Sequence, residues 1–366
     1  MNVTYKEFDK NVIVNATIGN VGVEMFDVRR APFDLYSLYD PYNLQQERFE
    51  RIPREVALSV SQGVAVQNYE PAGGRVRFST DSEFVAIRVE NGWITSRPHF
   101  TLIEAGGFDM YVHENGQDHF YGVFIPPVDA KNGYEGKIRF PDKRKREITI
   151  NFPIHASVIR LLVGLAPGAY LDHGKKYINE KPVVCYGSSI TQGTGTSRPG
   201  IVYSNMLSQR MNINTYNLGF SGQCKGEPAI AEYIAGLDMS AFILDYDENA
   251  PDPEHLRNTH ENFFKIIRQK NPDLPVIMLT RPSIKARNAQ HKPFRDVVYQ
   301  TYQNALANGD KNVYFIDGSE YLKGYACDDF ILDGIHPNDL GYYVMANNIQ
   351  KYLEEIIAVS DDFRKD

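Results

Sequence analysis

A chain of 366 residues, 42% hydrophobic and 23% charged, exceeds the commonest single-domain length and leaves little composition for disorder, so two globular domains are expected. The formal charge of −7 offers no basic stripe for a phosphate backbone, which argues against a nucleic-acid partner, and no apolar run is long enough to cross a bilayer. Three cysteines, Cys185, Cys224 and Cys327, cannot all pair and have no metal-ligand spacing, which suits a reducing compartment.

The opening, MNVTYKEFDKNVIVNATIG, has no charged leader ahead of an apolar segment. A cytoplasmic protein is therefore expected, in which the sequons at Asn2 and Asn15 carry no meaning. The Tyr-, Pro- and Asp-rich stretch APFDLYSLYDPYN at 31–43 shows no period. From there to about Leu171 the chain is written in strands. Residues 75–79, 84–89, 117–125, 147–152 and 158–163 alternate or run apolar over strand lengths between Gly, Pro, Asn and Asp turns, the pattern of an antiparallel sandwich. Trp93, the single tryptophan, lies in NGWITSRPHF, where it is either a sugar-stacking ring or a core indole. His99, His113 and His119 share this half without metal-ligand spacing. The basic run KIRFPDKRKREI at 137–148 reads as a solvated hairpin turn.

Beyond Asp172 strands alternate with helices. KPVVCY, INTYNLG, AFILDY, LPVIML and NVYFID read as strands, and residues 203–211, about 253–270, 293–307 and 340–357 as helices. In the second helix Leu256, His260, Phe263 and Ile267 share one face, so His260 is expected to be a packed, satisfied histidine. Such alternation predicts a parallel sheet covered on both faces, with ligands beyond the carboxyl ends of its strands. The expected division is 1–175 for the sandwich, an accessory unit, and 176–366 for the α/β domain.

Four loops fall on that edge. VVCYGSSITQGTG at 183–195 presents two serines after the first strand; Phe220, Ser221 and Gly222 follow the second; Asp247, Glu248 and Asn249 follow the third; and DGIHPND at 333–339 precedes the last helix. A serine hydroxyl needs a base, and a histidine base works best when a carboxylate fixes its tautomer. Asp333 and His336 supply such a pair, and N–H groups at Ser189 and Gly222 with the Asn249 amide suit an oxyanion. Asp245, Asp247 and Glu248 are the competing constellation, for glycoside hydrolysis or a hard cation. Neighbouring acids at one strand end point in different directions, however, and no second carboxylate group stands opposite. Cys185, inside the apolar strand, is expected to be buried and inert.

The blocks GSSIT, NLGFSGQ, YDENAP and DGIHPND resemble the GDSL or SGNH hydrolase superfamily, marked by Ser, Gly, Asn and His in that order. The resemblance implies Ser189 as nucleophile and first oxyanion donor, Gly222 and Asn249 as further donors, His336 as base and Asp333 as its orienter. It also implies a flavodoxin-like three-layer domain that needs no metal or organic cofactor. Ser188 stands where the family has aspartate, and DENAP replaces GxND. In the first half PFDLY, AGGRVRFSTDS and GFDMYV resemble the GxDLY-type, jelly-roll-like sandwich that precedes a group of carbohydrate acetylesterases, with Pro32 in place of the glycine. Removal of O-acetyl groups from plant hemicellulose oligosaccharides is then the expected activity, acetylated β-mannan first and acetylated xylan next. The alternatives are another acyl esterase, an acyltransferase, or a non-catalytic carbohydrate-binding protein.

Overall fold

Alternation of apolar residues through the first half produces two antiparallel sheets whose inner faces meet. The structure, a computed structural model, describes residues 14–18, 21–179, 181–321, 323 and 328–359; Asn2 and Cys327 lie outside them. One sheet runs in the order Val14–Ile18, Val21–Asp27, Ala156–Leu165, Phe84–Ile94, Gly133–Arg139. The other runs Leu171–His173, Arg75–Thr80, Arg146–Asn151, Phe108–Glu114, Gln117–Phe124, with Asp34–Tyr36 paired to Arg75–Thr80. Val85, Ile87, Val158 and Val163 of the first sheet pack with Val76, Phe78, Met110 and Ile150 of the second. Each large side chain buried there contributes about 1.5–3 kcal/mol through loss of apolar surface from water.

The basic run 137–148 is not a hairpin. Gly133–Arg139 pairs with Phe84–Ile94 while Arg146–Asn151 pairs with Arg75–Thr80, so the segment crosses from one sheet to the other. The two flanking strands are adjacent in sequence but in different layers, which sequence alternation cannot distinguish. Its charges are partly structural: Arg144 pairs with Glu114 at 3.0 Å, and the buried Arg146 pairs with Asp142.

The second half is a five-stranded parallel sheet in the order Thr215–Gly219, Val183–Gly187, Ala241–Asp245, Val276–Leu279, Val313–Ile316. In order of sequence this is 2-1-3-4-5, the flavodoxin-like order, and the chain reverses direction beside Val183–Gly187. Helices Tyr203–Met211 and Pro253–Lys270 stand where the sequence puts them. His260 is buried, bonded through Nδ1 to Thr301 Oγ1 at 2.9 Å, and burial holds its pKa down at about 3. The helix Asn288–Ala307 begins before Pro293, which sits in its second turn and forfeits one backbone bond there. Pro228–Ala235, a short helix, was not legible in the sequence.

The first half is not written wholly in strands. Helices Arg54–Val60 and Gln62–Gln67 send Ala57, Val64 and Ala65 into the core beneath the parallel sheet, beside Ile230 and Ile234. The first half therefore completes the hydrophobic core of the second. Among the described residues no helix is long and apolar enough to cross a membrane.

Candidate active site

The strand Val183–Gly187 is buried along its whole length, as the centre of a parallel sheet requires. It ends at Gly187, where a Cβ would collide with the backbone oxygen of Asp245 and with Thr191 Oγ1. Ser188 then caps the short helix Ser189–Gln192, its Oγ accepting from Ile190 N at 3.1 Å. Ser189 thus occupies the first turn, 8% exposed. The aspartate missing at Ser188 is replaced by braces from neighbouring strands. Thr191 Oγ1 donates to Asp245 Oδ2 at 2.8 Å, Ser188 N to Asp245 O at 3.1 Å, and Asn217 Nδ2 to Thr191 O at 2.6 Å.

Ser189 Oγ lies 2.9 Å from His336 Nε2, and His336 Nδ1 lies 2.8 Å from Asp333 Oδ2. The Asp333 Oδ1 atom accepts from Ile335 N at 3.0 Å and His336 N at 2.9 Å. Partial burial works to raise the Asp333 pKa, but the His336 backbone and ring bonds prevail and hold it below the usual carboxylate range. The histidine loop is tied to the serine loop by Tyr342, whose buried hydroxyl shares its one hydrogen between Ile190 O at 2.9 Å and Thr194 O at 2.8 Å. Gly222 has a φ of +71°, a left-handed conformation suited to glycine, and open space where a side chain would stand. Asn249, in the turn Asp247–Asn249, donates one amide hydrogen to Phe220 O at 3.2 Å, which places it against the Gly222 loop with its second hydrogen to spare.

The rival acids are occupied. Asp247 accepts from Arg281 N at 3.0 Å and Arg281 Nε at 3.1 Å, and Glu248 pairs with the same Nε at 3.1 Å. Burial, with Asp247 and Asp333 opposing Arg281 and Arg287, pushes the Glu248 pKa up to about 7. Asp245 is fully buried, and desolvation together with Asp247 pushes its pKa up to about 8. A carboxyl raised in this way binds a proton on folding. Its favourable state is complete below its unfolded pKa of about 3.9 and declines as pH rises toward 8, by at most about 1.4 kcal/mol per pH unit. Asp245→Asn should therefore flatten the fall in urea-unfolding free energy between pH 5 and 7; parallel wild-type and variant slopes would refute the assignment. Cys185 is buried, and desolvation raises its thiol pKa far above neutrality.

Sequence reasoning missed what the first half brings to this edge. Gln192 Oε1 accepts from Ser221 N at 2.8 Å while its Nε2 donates to Glu70 Oε2 at 2.8 Å. Gln67 Nε2 donates to Ser221 O at 2.8 Å, and Gly195 N donates to Glu104 Oε1 at 2.9 Å. His155 lies 3.8 Å from Glu70 and 3.5 Å from Glu104. Burial favours its neutral ring, but the two carboxylates outweigh burial and raise its pKa. His99 reaches the triad itself: its ring lies 6.0 Å from that of His336, tilted by 14°. Trp93 is placed otherwise. Half-buried, it packs edge-on against Tyr69 at 6.2 Å with the Arg48 guanidinium 5.1 Å from its ring, in a cavity whose lining includes no triad residue.

A hydrogen-bonded serine, histidine and carboxylate at the carboxyl edge of a 2-1-3-4-5 parallel sheet define a serine-dependent ester hydrolase. Residues 180–354 match the GDSL-like lipase/acylhydrolase family, and residues 34–171 match the N-terminus of SGNH-hydrolase-type esterases. The chain is a carboxylic-ester hydrolase of that class. It is similar to a Bacteroides ovatus protein described as a GDSL-like lipase, at 26% identity and TM-score 0.82 over 92% of this chain and 99% of that one. A salicylyl-acyltransferase from a tetracycline biosynthetic pathway is similar at 19% identity and TM-score 0.73 over 92% and 98%. A family two carbohydrate esterase from Clostridium thermocellum, in complex with cellohexaose, gives 13% and 0.59 over 78% and 93%. No curated protein is detectably similar to the chain.

Proposed function

We propose that the protein removes O-acetyl groups from hemicellulose oligosaccharides, acetylated β-mannan or glucomannan before acetylated xylan. The observation that carries the chemistry is the continuous line from Ser189 Oγ through His336 to Asp333, with steps of 2.9 and 2.8 Å. Ser189 Oγ attacks the acetyl carbonyl carbon as His336 Nε2 takes its proton. The oxyanion is met by the N–H groups of Ser189 and Gly222 and by Asn249 Nδ2. His336 then returns the proton to the sugar oxygen as the ester C–O bond breaks, and water releases acetate from Ser189 by the same steps reversed. The sugar assignment draws on the shared architecture of the carbohydrate esterase.

Wild-type protein incubated with acetylated glucomannan and acetylated xylan oligosaccharides should release acetate, followed by NMR and mass spectrometry. Turnover of small chromogenic acetates with neither glycan touched would overturn the carbohydrate reading. Asn249→Ala is expected to lower kcat about 10²–10³-fold with little change in KM, the usual loss for one oxyanion donor. An unchanged kcat would remove Asn249 from that role.

Similarity to an acyltransferase over 92% of this chain supports a second reading, transfer of an acyl group to an alcohol. Product analysis with an added acceptor alcohol separates the two: a new ester in place of free acetate marks a transferase. A carbohydrate-binding protein without catalysis would bind the oligosaccharides and release no acetate from any ester.

A further inference from the structure

His99 has no role in the acyl chemistry, yet the sandwich delivers it to the catalytic base. It lies in the connection after the strand Phe84–Ile94, far from residues 333–336 in sequence, and is only half-buried. One donor atom from each of His99, Asp333 and His336 lies within 4.8 Å of the other two. Two imidazoles and a carboxylate so placed form the donor set that zinc and its first-row neighbours prefer, whereas calcium and magnesium take oxygen. Ligand atoms sit about 2.0–2.2 Å from such an ion, so binding turns the three groups toward one point. His99 sits on a loop where such a turn is easy; the turn of His336 is the costly one, since its ring is held between Ser189 and Asp333.

We propose that His99, Asp333 and His336 form an inhibitory site for a divalent transition metal of the zinc class. The ion is a regulator and not a cofactor: it binds the imidazole and carboxylate that the esterase needs as base and orienter. A metal-bound His336 cannot accept the Ser189 proton, so occupancy stops acylation, and removal of the ion restores it. This regulation rests on the serine-esterase reading of the same triad. The metal contact itself does not, because the three donors stand together whatever the triad turns over.

The test has two arms. Hydrolysis of a chromogenic acetate by wild type should fall on titration with zinc chloride, be unaffected by magnesium or calcium, and return on addition of EDTA. His99→Phe, which keeps an aromatic ring beside His336, should retain its metal-free activity and need about tenfold more zinc or higher, since even a supporting contact to a metal ligand is worth that much. Equal zinc sensitivity in wild type and His99→Phe would overturn the proposal, as would a wild type indifferent to zinc. The second arm needs no activity. Ser189→Ala protein titrated with cobalt(II) should develop visible d–d absorption that is absent from the Ser189→Ala, His99→Phe double variant. Identical spectra from the two would sink the site. A wild type that hydrolyses no ester would defeat the esterase reading, and the cobalt spectra would still decide the metal site.

Discussion

Ser189→Ala is expected to lower esterase kcat by about 10⁴–10⁶-fold while leaving the thermal midpoint close to that of wild type. Two features of the site set this expectation. The hydroxyl makes its side-chain bond to His336 Nε2, at 2.9 Å, and braces no backbone group among the described residues. The helix carrying it is held by other atoms: the Ser188 cap, the Thr191 bond to Asp245 and the Tyr342 bonds to Ile190 and Thr194. Removing the hydroxyl takes away the nucleophile and leaves the scaffold. Steady-state hydrolysis of a chromogenic acetate, with melting followed on the same samples, checks both halves. Activity within about tenfold of wild type would show that another group attacks the carbonyl, or that water does so with His336 as its base. His336→Ala would then distinguish the two, since only the second needs the imidazole.

The serine and histidine loops were legible because each pairs a short local pattern with a place in the topology. Gly187 through Thr191 break an apolar strand into a capped turn, and Asp333 and His336 lie close enough in sequence to bond within one loop. Asn249 was legible only by its position after a strand; what identifies it in space is its bond to Phe220 O, made across a gap in sequence that periodicity does not span. The sandwich strands with strong alternation were also visible. Val21–Asp27 and Phe108–Glu114, by contrast, carry charged residues among their apolar ones and gain their strand character from partners on either side. His99 and Glu70 show the harder limit. Neither belongs to a motif, and only the packing of the two halves sets each against His336 or Gln192.

Arg51→Ala is expected to destabilise the protein by about 3–5 kcal/mol and to lower kcat as well, through a residue that never meets substrate. In sequence Arg51 stands among other charged residues, in ERFERIPRE, for which a solvated surface position is the default. In the structure it is fully buried. Its Nη1 donates to Gly219 O, its Nη2 donates to Gln67 O at 2.9 Å, and its guanidinium lies 4.1 Å from the Phe220 ring. Burial lowers its pKa to about 10, against the pull of Glu70, so the group is charged at neutral pH. The two carbonyls belong to different halves: Gln67 ends a helix of the first, and Gly219 ends the strand that leads into Phe220, Ser221 and Gly222. Alanine would leave both oxygens buried without this donor and Glu70 with less compensation. The loop that presents the Gly222 N–H would lose its anchor at the same time. Lysine should restore only part of the stability, because one ammonium cannot reproduce a planar fork that reaches two carbonyls and stacks on a ring. Urea unfolding and steady-state kinetics on the Ala and Lys variants test this. An alanine variant within about 0.5 kcal/mol of wild type would place Arg51 among groups whose burial is merely tolerated. A loss of several kcal/mol with kcat preserved would confine it to holding the halves together. A loss of both would make the junction between the halves part of the machinery that stabilises the oxyanion.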